Sequence, residues 1–169
     1  MSISELAKKN PLKAKELTEL IAQNLIEKKF NILAILEEMP KLNQSNRGNC
    51  MEAITFACTK HIELFEAKWI AALLPFLGNE PARVKWECAR TISEIAKHIQ
   101  ADWSKHIALL LVNAQKEGTV VRWSSAQALV QLYLANPKVY AHLKIELESL
   151  QRNEEKNSIQ KIYAKALKQ

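Results

Sequence analysis

The sequence has 169 residues, of which 48% are hydrophobic and 25% charged, with a formal net charge of +6. This composition does not indicate a disordered chain, and the length allows one domain with a sizeable core. With 3 Gly, 5 Pro and many Ala, Leu, Lys and Glu residues, it favours helices. The sequence begins without a signal-peptide pattern and has no apolar run of about 18 residues, so we expect a cytoplasmic protein.

The positive charge is unevenly distributed along the chain. Residues 1–82 hold 10 basic and 10 acidic side chains, whereas residues 83–169 hold 14 and 8. A basic half can attract nucleic acid, anionic lipid or an acidic protein surface. A net charge of this size is also common in proteins in which it contributes only to solubility.

The predicted elements are helical throughout, because no strand-like alternation of apolar and polar residues occurs. A short N-terminal turn precedes nine helices, near residues 11–28, 30–39, 46–61, 63–77, 81–99, 102–116, 119–135, 137–152 and 154–167. Asn10-Pro11, Glu80-Pro81 and Asn136-Pro137 are typical of helix starts, since proline is tolerated in the first turn. Pro75 lies inside a predicted helix and should make it irregular, because its ring meets the carbonyl group four residues back.

A repeat of 37 residues relates successive parts of the chain. RVKWECARTISEIA from residue 83 and VRWSSAQALVQLY from residue 121 align at this offset, and so do KWIAALL from residue 68 and KHIALLL from residue 105. A shift of 38 aligns IQKIYAKAL from residue 159 with the segment from residue 121. A period of this length is typical of solenoids built from stacked supersecondary units.

The repeated helix, short loop and V-R/K-x-x-x-A-x-x-L helix resemble HEAT repeats of the armadillo-type α-solenoid class. The resemblance implies an all-α, right-handed α-α solenoid of about four HEAT-like helix pairs with a leading capping helix, in a single domain over residues 1–169. The expected division is an N-terminal cap at 1–29 and repeats at 30–62, 63–100, 101–136 and 137–169. This fold class has no single function.

Two basic residues depart from the pattern of the resembling repeats. In HEAT repeats an acidic residue in the turn within a unit commonly pairs with a basic residue six positions later, but the positions six before Lys85 and Arg122 hold Asn79 and Lys116. The helix positions three and four residues from either cation also hold no carboxylate. We therefore expect Lys85 and Arg122 to be available to an external ligand, unless Glu117 folds back onto Arg122.

Trp86 and Trp123 follow these two cations directly, one repeat apart. The resemblance places the second helix of each unit on the concave face. It thereby predicts a binding surface of Lys85, Trp86, Arg90, Arg122, Trp123 and Gln127. Indole faces beside cations suit a peptide, an acidic side chain or a stacked base. The alternative is that both tryptophans are core residues between repeats.

No motif for catalysis, a cofactor or a metal is present. The chain lacks a G-x-S-x-G motif, a glycine-rich phosphate loop, H-E-x-x-H and C-x-x-C. We expect structural histidines, buried thiols at Cys50, Cys58 and Cys88, no cofactor, no metal and no enzyme activity. By resemblance, a HEAT-like alkylpurine DNA glycosylase is the enzyme to consider. It needs an inward acidic residue, whereas the single Asp, Asp102, falls in a predicted turn.

The leading hypothesis is a non-catalytic binding or scaffold module whose concave face binds a protein or peptide, with an acidic segment as one form of partner. The alternative is nucleic-acid binding through the basic second half, which predicts a steep dependence on salt concentration. We expect no membrane partner.

Overall fold

The computed structural model describes residues 3–9 and 12–168. Over these residues the chain is helical, with no strand. The α-helices are α1 (Ile3–Lys9), α2 (Ala14–Ile26), α3 (Ile32–Glu38), α4 (Gln44–Lys60), α5 (Ala82–Ile95), α6 (Ser104–Lys116), α7 (Thr119–Ala135), α8 (Leu143–Asn153) and α9 (Asn157–Leu167). Three 3₁₀ helices cover Met39–Lys41, Ile62–Leu64 and Ala67–Leu77.

The helices lie in two layers. In one layer α2 packs on α4, α4 on α5, α5 on α7 and α7 on α9. In the other layer the 3₁₀ helix Ala67–Leu77 contacts α3 and α6, and α6 and α8 cover α7 and α9. Fully buried alanines, among them Ala89 and Ala126, let the helices of the first layer approach closely. The predicted all-α solenoid is therefore confirmed, whereas its division into units at the stated boundaries stays a prediction.

The segment Ala67–Leu77 shows how a proline changes a helix. Pro75 lies inside it, and the whole segment is a 3₁₀ helix that buries Trp69, Leu73 and Phe76. A 3₁₀ helix closes hydrogen bonds three residues apart, as between the Gly78 N–H and the Pro75 carbonyl at 3.2 Å. The irregular helix predicted from Pro75 is thus observed.

Some helix boundaries differ from the sequence predictions. A helix, α1, replaces the predicted N-terminal turn, whereas the Asn10-Pro11 start lies outside the described residues. Helix α8 begins at Leu143 and not at residue 137. The intervening turn is fixed by Tyr140, whose hydroxyl accepts from the Trp103 N–H and donates to the Ala101 carbonyl, both at 3.1 Å. Tyr140 lies 37 residues after Trp103, and its hydrogen bonds hold the turn against the preceding unit.

Buried polar groups also join neighbouring units. The Thr55 and Thr91 hydroxyls are 2.7 Å apart between α4 and α5. The Asn113 side-chain amide donates to the Leu77 carbonyl at 3.0 Å, and the His106 Nε2–H donates to the Ile70 carbonyl at 2.9 Å. Each bond spans 36 residues, so the same relation between units is repeated along the stack.

Candidate functional site

Lys85 and Arg122 are both paired within the chain. The Lys85 ammonium group donates to the Glu117 carboxylate at 2.5 Å. Arg122 donates to both carboxylate oxygens of Glu154, at 3.0 and 3.1 Å, and to the Glu117 carbonyl at 3.0 Å. The prediction that the two cations have no carboxylate partner is therefore wrong. Each partner lies 32 residues further along the chain, in the turn of the next unit, and not in the cation's own unit.

A third ion pair extends the same pattern toward the N-terminus. Arg47 donates to both oxygens of Glu80 at 2.7 and 2.8 Å. Glu80, Glu117 and Glu154 recur at intervals of 37 residues. We call the three pairs the charge ladder. The recurrence of Glu at this interval was the signal in the sequence for the charge ladder. The pairs join different units, so they cannot be found within one unit.

The other predicted site residues separate into two groups. Arg90, Trp123 and Gln127 line one cavity of about 330 Å³ over α4, α5 and α7. Arg122 lines a different cavity, of about 460 Å³, together with Glu154. Neither Lys85 nor Trp86 lines the cavity that contains Trp123. The predicted surface is thus divided, and Arg90, Trp123 and Gln127 are the three of its residues that share one recess.

Aromatic side chains are exposed in this recess. Trp123 is 40% exposed and Phe56 is 41% exposed, so neither is a core residue. The remaining residues of the cavity wall are Thr55, Thr59, Ser93 and Glu94. Phe56 also lines an adjoining cavity of about 430 Å³ over α2 and α4, with Glu19, Ala22, Gln23, Ile26, Thr59 and Lys60. We call the two adjoining cavities the inner groove.

Phe56 is a groove residue that was not among the predicted site residues. Helix α4 buries Cys50, Ile54, Ala57 and Cys58, and Phe56 lies off this buried stripe. A large aromatic residue on the polar side of a helix was therefore the available signal.

Glu87 connects Trp86 to Arg90 at the edge of the inner groove. Its carboxylate accepts from the Trp86 Nε1–H at 2.7 Å and from Arg90 Nη1 at 2.9 Å. Glu87 is 3% exposed, and burial raises the pKa of its carboxyl. The Trp86 hydrogen bond and the Arg90 charge lower this pKa, but burial has the larger effect. Trp86 is only partly buried, but its N–H is satisfied inside the protein. Arg90 is thus held by one nitrogen, while its side chain stays 39% exposed.

The cysteines and histidines lie apart from the groove. The three cysteines are free and buried, and burial raises the pKa values of Cys50 and Cys58 to about 12. No group of three or more metal-ligating side chains occurs within residues 3–9 and 12–168. Asp102 is exposed and accepts hydrogen bonds from the N–H and hydroxyl of Ser104 at the start of α6, so it does not point to a base-excising site. None of the helices described is long and apolar enough to cross a membrane.

No family model and no curated protein matches the chain. A solved structure, described as the complex of CpcE and CpcF of phycocyanin lyase from Nostoc sp., is similar to it with a TM-score of 0.68. The match covers 97% of this chain and 94% of that chain at 13% sequence identity, and such a likeness shows the fold, a helical-repeat class. It corrects the expectation that the chain is not an enzyme, because this fold occurs in a structure described as a lyase.

Proposed function

We propose that the chain binds a protein partner by accommodating an extended segment of it in the inner groove. The observation that supports this function best is the exposure of Phe56 and Trp123 at opposite sides of one recess. Exposed aromatic residues that converge on a concave surface are typical anchors of protein interfaces. The HEAT assignment, the unit boundaries and a cytoplasmic location are parts of the same proposal.

The charge distribution favours a protein over a nucleic acid. Three cations that could otherwise contact a phosphate backbone are paired with carboxylates in the charge ladder, namely Arg47, Lys85 and Arg122. The inner groove itself carries both signs, with Glu19 and Lys60 lining one of its cavities and Glu94 and Arg90 lining the other. A nucleic-acid channel is expected to be uniformly basic.

A peptide-display selection tests the proposal, because it identifies binding sequences from a random library. Peptides are selected on the wild-type chain and measured by fluorescence polarisation against Phe56→Ala, Trp123→Ala and the double variant. We expect losses of about tenfold or more for each single variant, since truncating an aromatic anchor costs about 2 kcal/mol. Ile145→Ala is the matched control, because Ile145 is 69% exposed on α8, outside the groove. Equal affinity of all selected peptides for the double variant and the wild type would reject the groove.

A second candidate function follows from the extent of the fold likeness. Because the match spans nearly the whole of both chains, we also propose that the chain acts as one component of a phycocyanin-lyase-type complex. Titration calorimetry of the chain with phycocyanin, followed by absorbance spectra of the mixture, tests this candidate. Binding that weakens in the Phe56→Ala, Trp123→Ala double variant supports it, and absence of binding heat rejects it.

A further inference from the structure

We propose that the inner groove selects an extended segment in which a carboxylate side chain lies between two apolar side chains. This proposal rests on the proposed function and gives the chemistry of the partner. The residues that carry it are Arg90 for the carboxylate and Phe56 and Trp123 for the apolar positions, with Lys60 in the adjoining cavity as a further positive charge.

Arg90 is oriented toward a ligand and retains free donors. Both of its hydrogen bonds within the described residues are made by Nη1, to the two oxygens of Glu87, at 2.9 and 3.3 Å. The Nε and Nη2 groups therefore remain available to an oxygen acceptor. Because Glu87 is buried, it fixes the guanidinium without competing from the groove side.

Each acidic residue of the groove has a lysine nearby. Lys97 donates to Glu94 at 2.7 Å, and Lys15 lies 3.9 Å from Glu19. Lys60, in contrast, makes no ion pair within the part of the chain that the structure describes. Lys60 is thus a groove cation without a counter-charge among the described residues, and Arg90, although paired with Glu87, keeps free donors. The complement of both is a carboxylate.

The positions of the helices set the spacing of the segment. Arg90 lies on α5, between Phe56 on α4 and Trp123 on α7. Neighbouring packed helices lie about 9 Å apart, so the axes of α4 and α7, which carry the two aromatic residues, are about 18 Å apart. An extended peptide rises about 3.3 Å per residue, which places its two apolar side chains about five residues apart, with the carboxylate near the middle.

The experiment uses two fluorescein-labelled nine-residue peptides and the full chain. Both peptides carry Phe at positions 2 and 7, and positions 4 and 5 hold Asp-Glu in one and Asn-Gln in the other. We expect the acidic peptide to bind about tenfold more tightly, as for a hydrogen bond to a charged group. The preference should disappear in Arg90→Gln and weaken in Lys60→Gln, and Lys144→Gln on α8 is the matched control.

Two further variants distinguish the effect of the orientation of Arg90 from the effect of its charge. Glu87→Gln should reduce the preference for the acidic peptide and leave the affinity of the amide peptide unchanged, since Glu87 acts as a positioning residue. Arg90→Lys conserves the charge and should retain part of the preference. Cooperative unfolding of each variant confirms that it is folded.

The outcomes distinguish the two proposals. If both peptides bind equally well and both need Phe56 and Trp123, the carboxylate proposal is overturned and the proposed function stands. If neither peptide depends on Phe56 and Trp123, the proposed function fails. If a single-stranded oligonucleotide displaces the acidic peptide with equal affinity, the selectivity is one of charge alone and the proposal is overturned.

Discussion

Arg122 and Glu154 form a bidentate ion pair that joins α7 to the turn between α8 and α9, with Nε–Oε2 and Nη2–Oε1 distances of 3.0 and 3.1 Å. Glu154 also accepts from the Lys156 N–H at 2.9 Å, and its side chain is 5% exposed. A bidentate pair of this kind holds both helices in one relative position. It belongs to the charge ladder, whose pairs each join one unit to the next, so its first role is structural.

Glu154→Gln should lower the free energy of unfolding by about 2 kcal/mol, because the substitution leaves the largely buried Arg122 without a counter-charge. Urea denaturation followed by circular dichroism measures the change. Glu146→Gln is the control, since Glu146 is exposed on α8 and should change the free energy by less than about 0.5 kcal/mol. Equal effects of the two substitutions would contradict a structural role for the pair.

The contribution of Glu154 should depend on pH. Burial raises the pKa of this carboxyl, but the hydrogen bonds from Arg122 and from the Lys156 N–H outweigh burial, so the folded pKa lies below the ordinary 4.5. The stabilisation is therefore complete above about pH 4.5 and is lost as the pH falls through the folded value. The difference in unfolding free energy between the wild type and Glu154→Gln should shrink accordingly. A difference that stays constant from pH 7 to pH 3 would show that the charge of Glu154 is not responsible.

The repeat was the part of the molecule that sequence reasoning could predict well. The 37-residue offset aligned the helices correctly, and the predicted helix 119–135 coincides with α7 (Thr119–Ala135), because Gly118 and Asn136 terminate the apolar pattern clearly. The start of α8 was missed because the Tyr140 hydroxyl, a tertiary contact, determines the turn before it.

The candidate site was harder to predict, because its chemistry depends on contacts between units. Lys85 has no carboxylate partner within its own helix or the turn before it, whereas Glu117 of the following unit pairs with it. The exposure of the aromatic residues also could not be predicted from the sequence. Periodicity does not show whether Trp123 faces a neighbour or a recess, whereas in the structure it is 40% exposed in the recess over α4, α5 and α7.

Glu87 should titrate above its ordinary pKa of 4.5, because its carboxyl is buried beside Trp86 and Arg90, with Glu52 of α4 adding a repulsive charge and Arg83 an attractive one. The indole N–H resonance of Trp86 should therefore shift with a midpoint above pH 4.5, and this shift should vanish in Glu87→Gln. The indole of Trp103, which donates to the Ile99 carbonyl, serves as the internal control. A Trp86 resonance that does not move between pH 7 and pH 4 would contradict the proposed hydrogen bond or the raised pKa.

The three cysteines should be unreactive in the folded protein. Cys50, Cys58 and Cys88 are at most 2% exposed, and burial raises the pKa values of their thiols, so little thiolate forms at neutral pH. Ellman's reagent should therefore modify none of them rapidly at pH 8, and all three after denaturation in urea. Rapid modification of one thiol without denaturant would show that the helices around α4 and α5 open locally.

The buried hydroxyl pair of Thr55 and Thr91 should show a measurable coupling. Each hydroxyl also lies within hydrogen-bonding distance of a carbonyl in its own helix, Thr55 of Met51 at 3.2 Å and Thr91 of Glu87 at 3.0 Å. Because each hydroxyl has a single hydrogen, one of them donates across the interface, and the other accepts there and donates to the carbonyl of its own helix. Either valine substitution then removes the bond between α4 and α5, and the second substitution cannot remove it again.

Thr55→Val and Thr91→Val should each cost about 1 kcal/mol of unfolding free energy, and the double variant should cost less than their sum by about 0.5 to 1 kcal/mol. Urea denaturation of the four proteins of the cycle measures this difference. Thr55→Val combined with Ser124→Ala is the control, because the Ser124 hydroxyl bonds the Val121 carbonyl inside α7, away from the Thr55–Thr91 bond. Additive costs for the threonine pair would show that the 2.7 Å contact contributes nothing to the packing of α4 on α5.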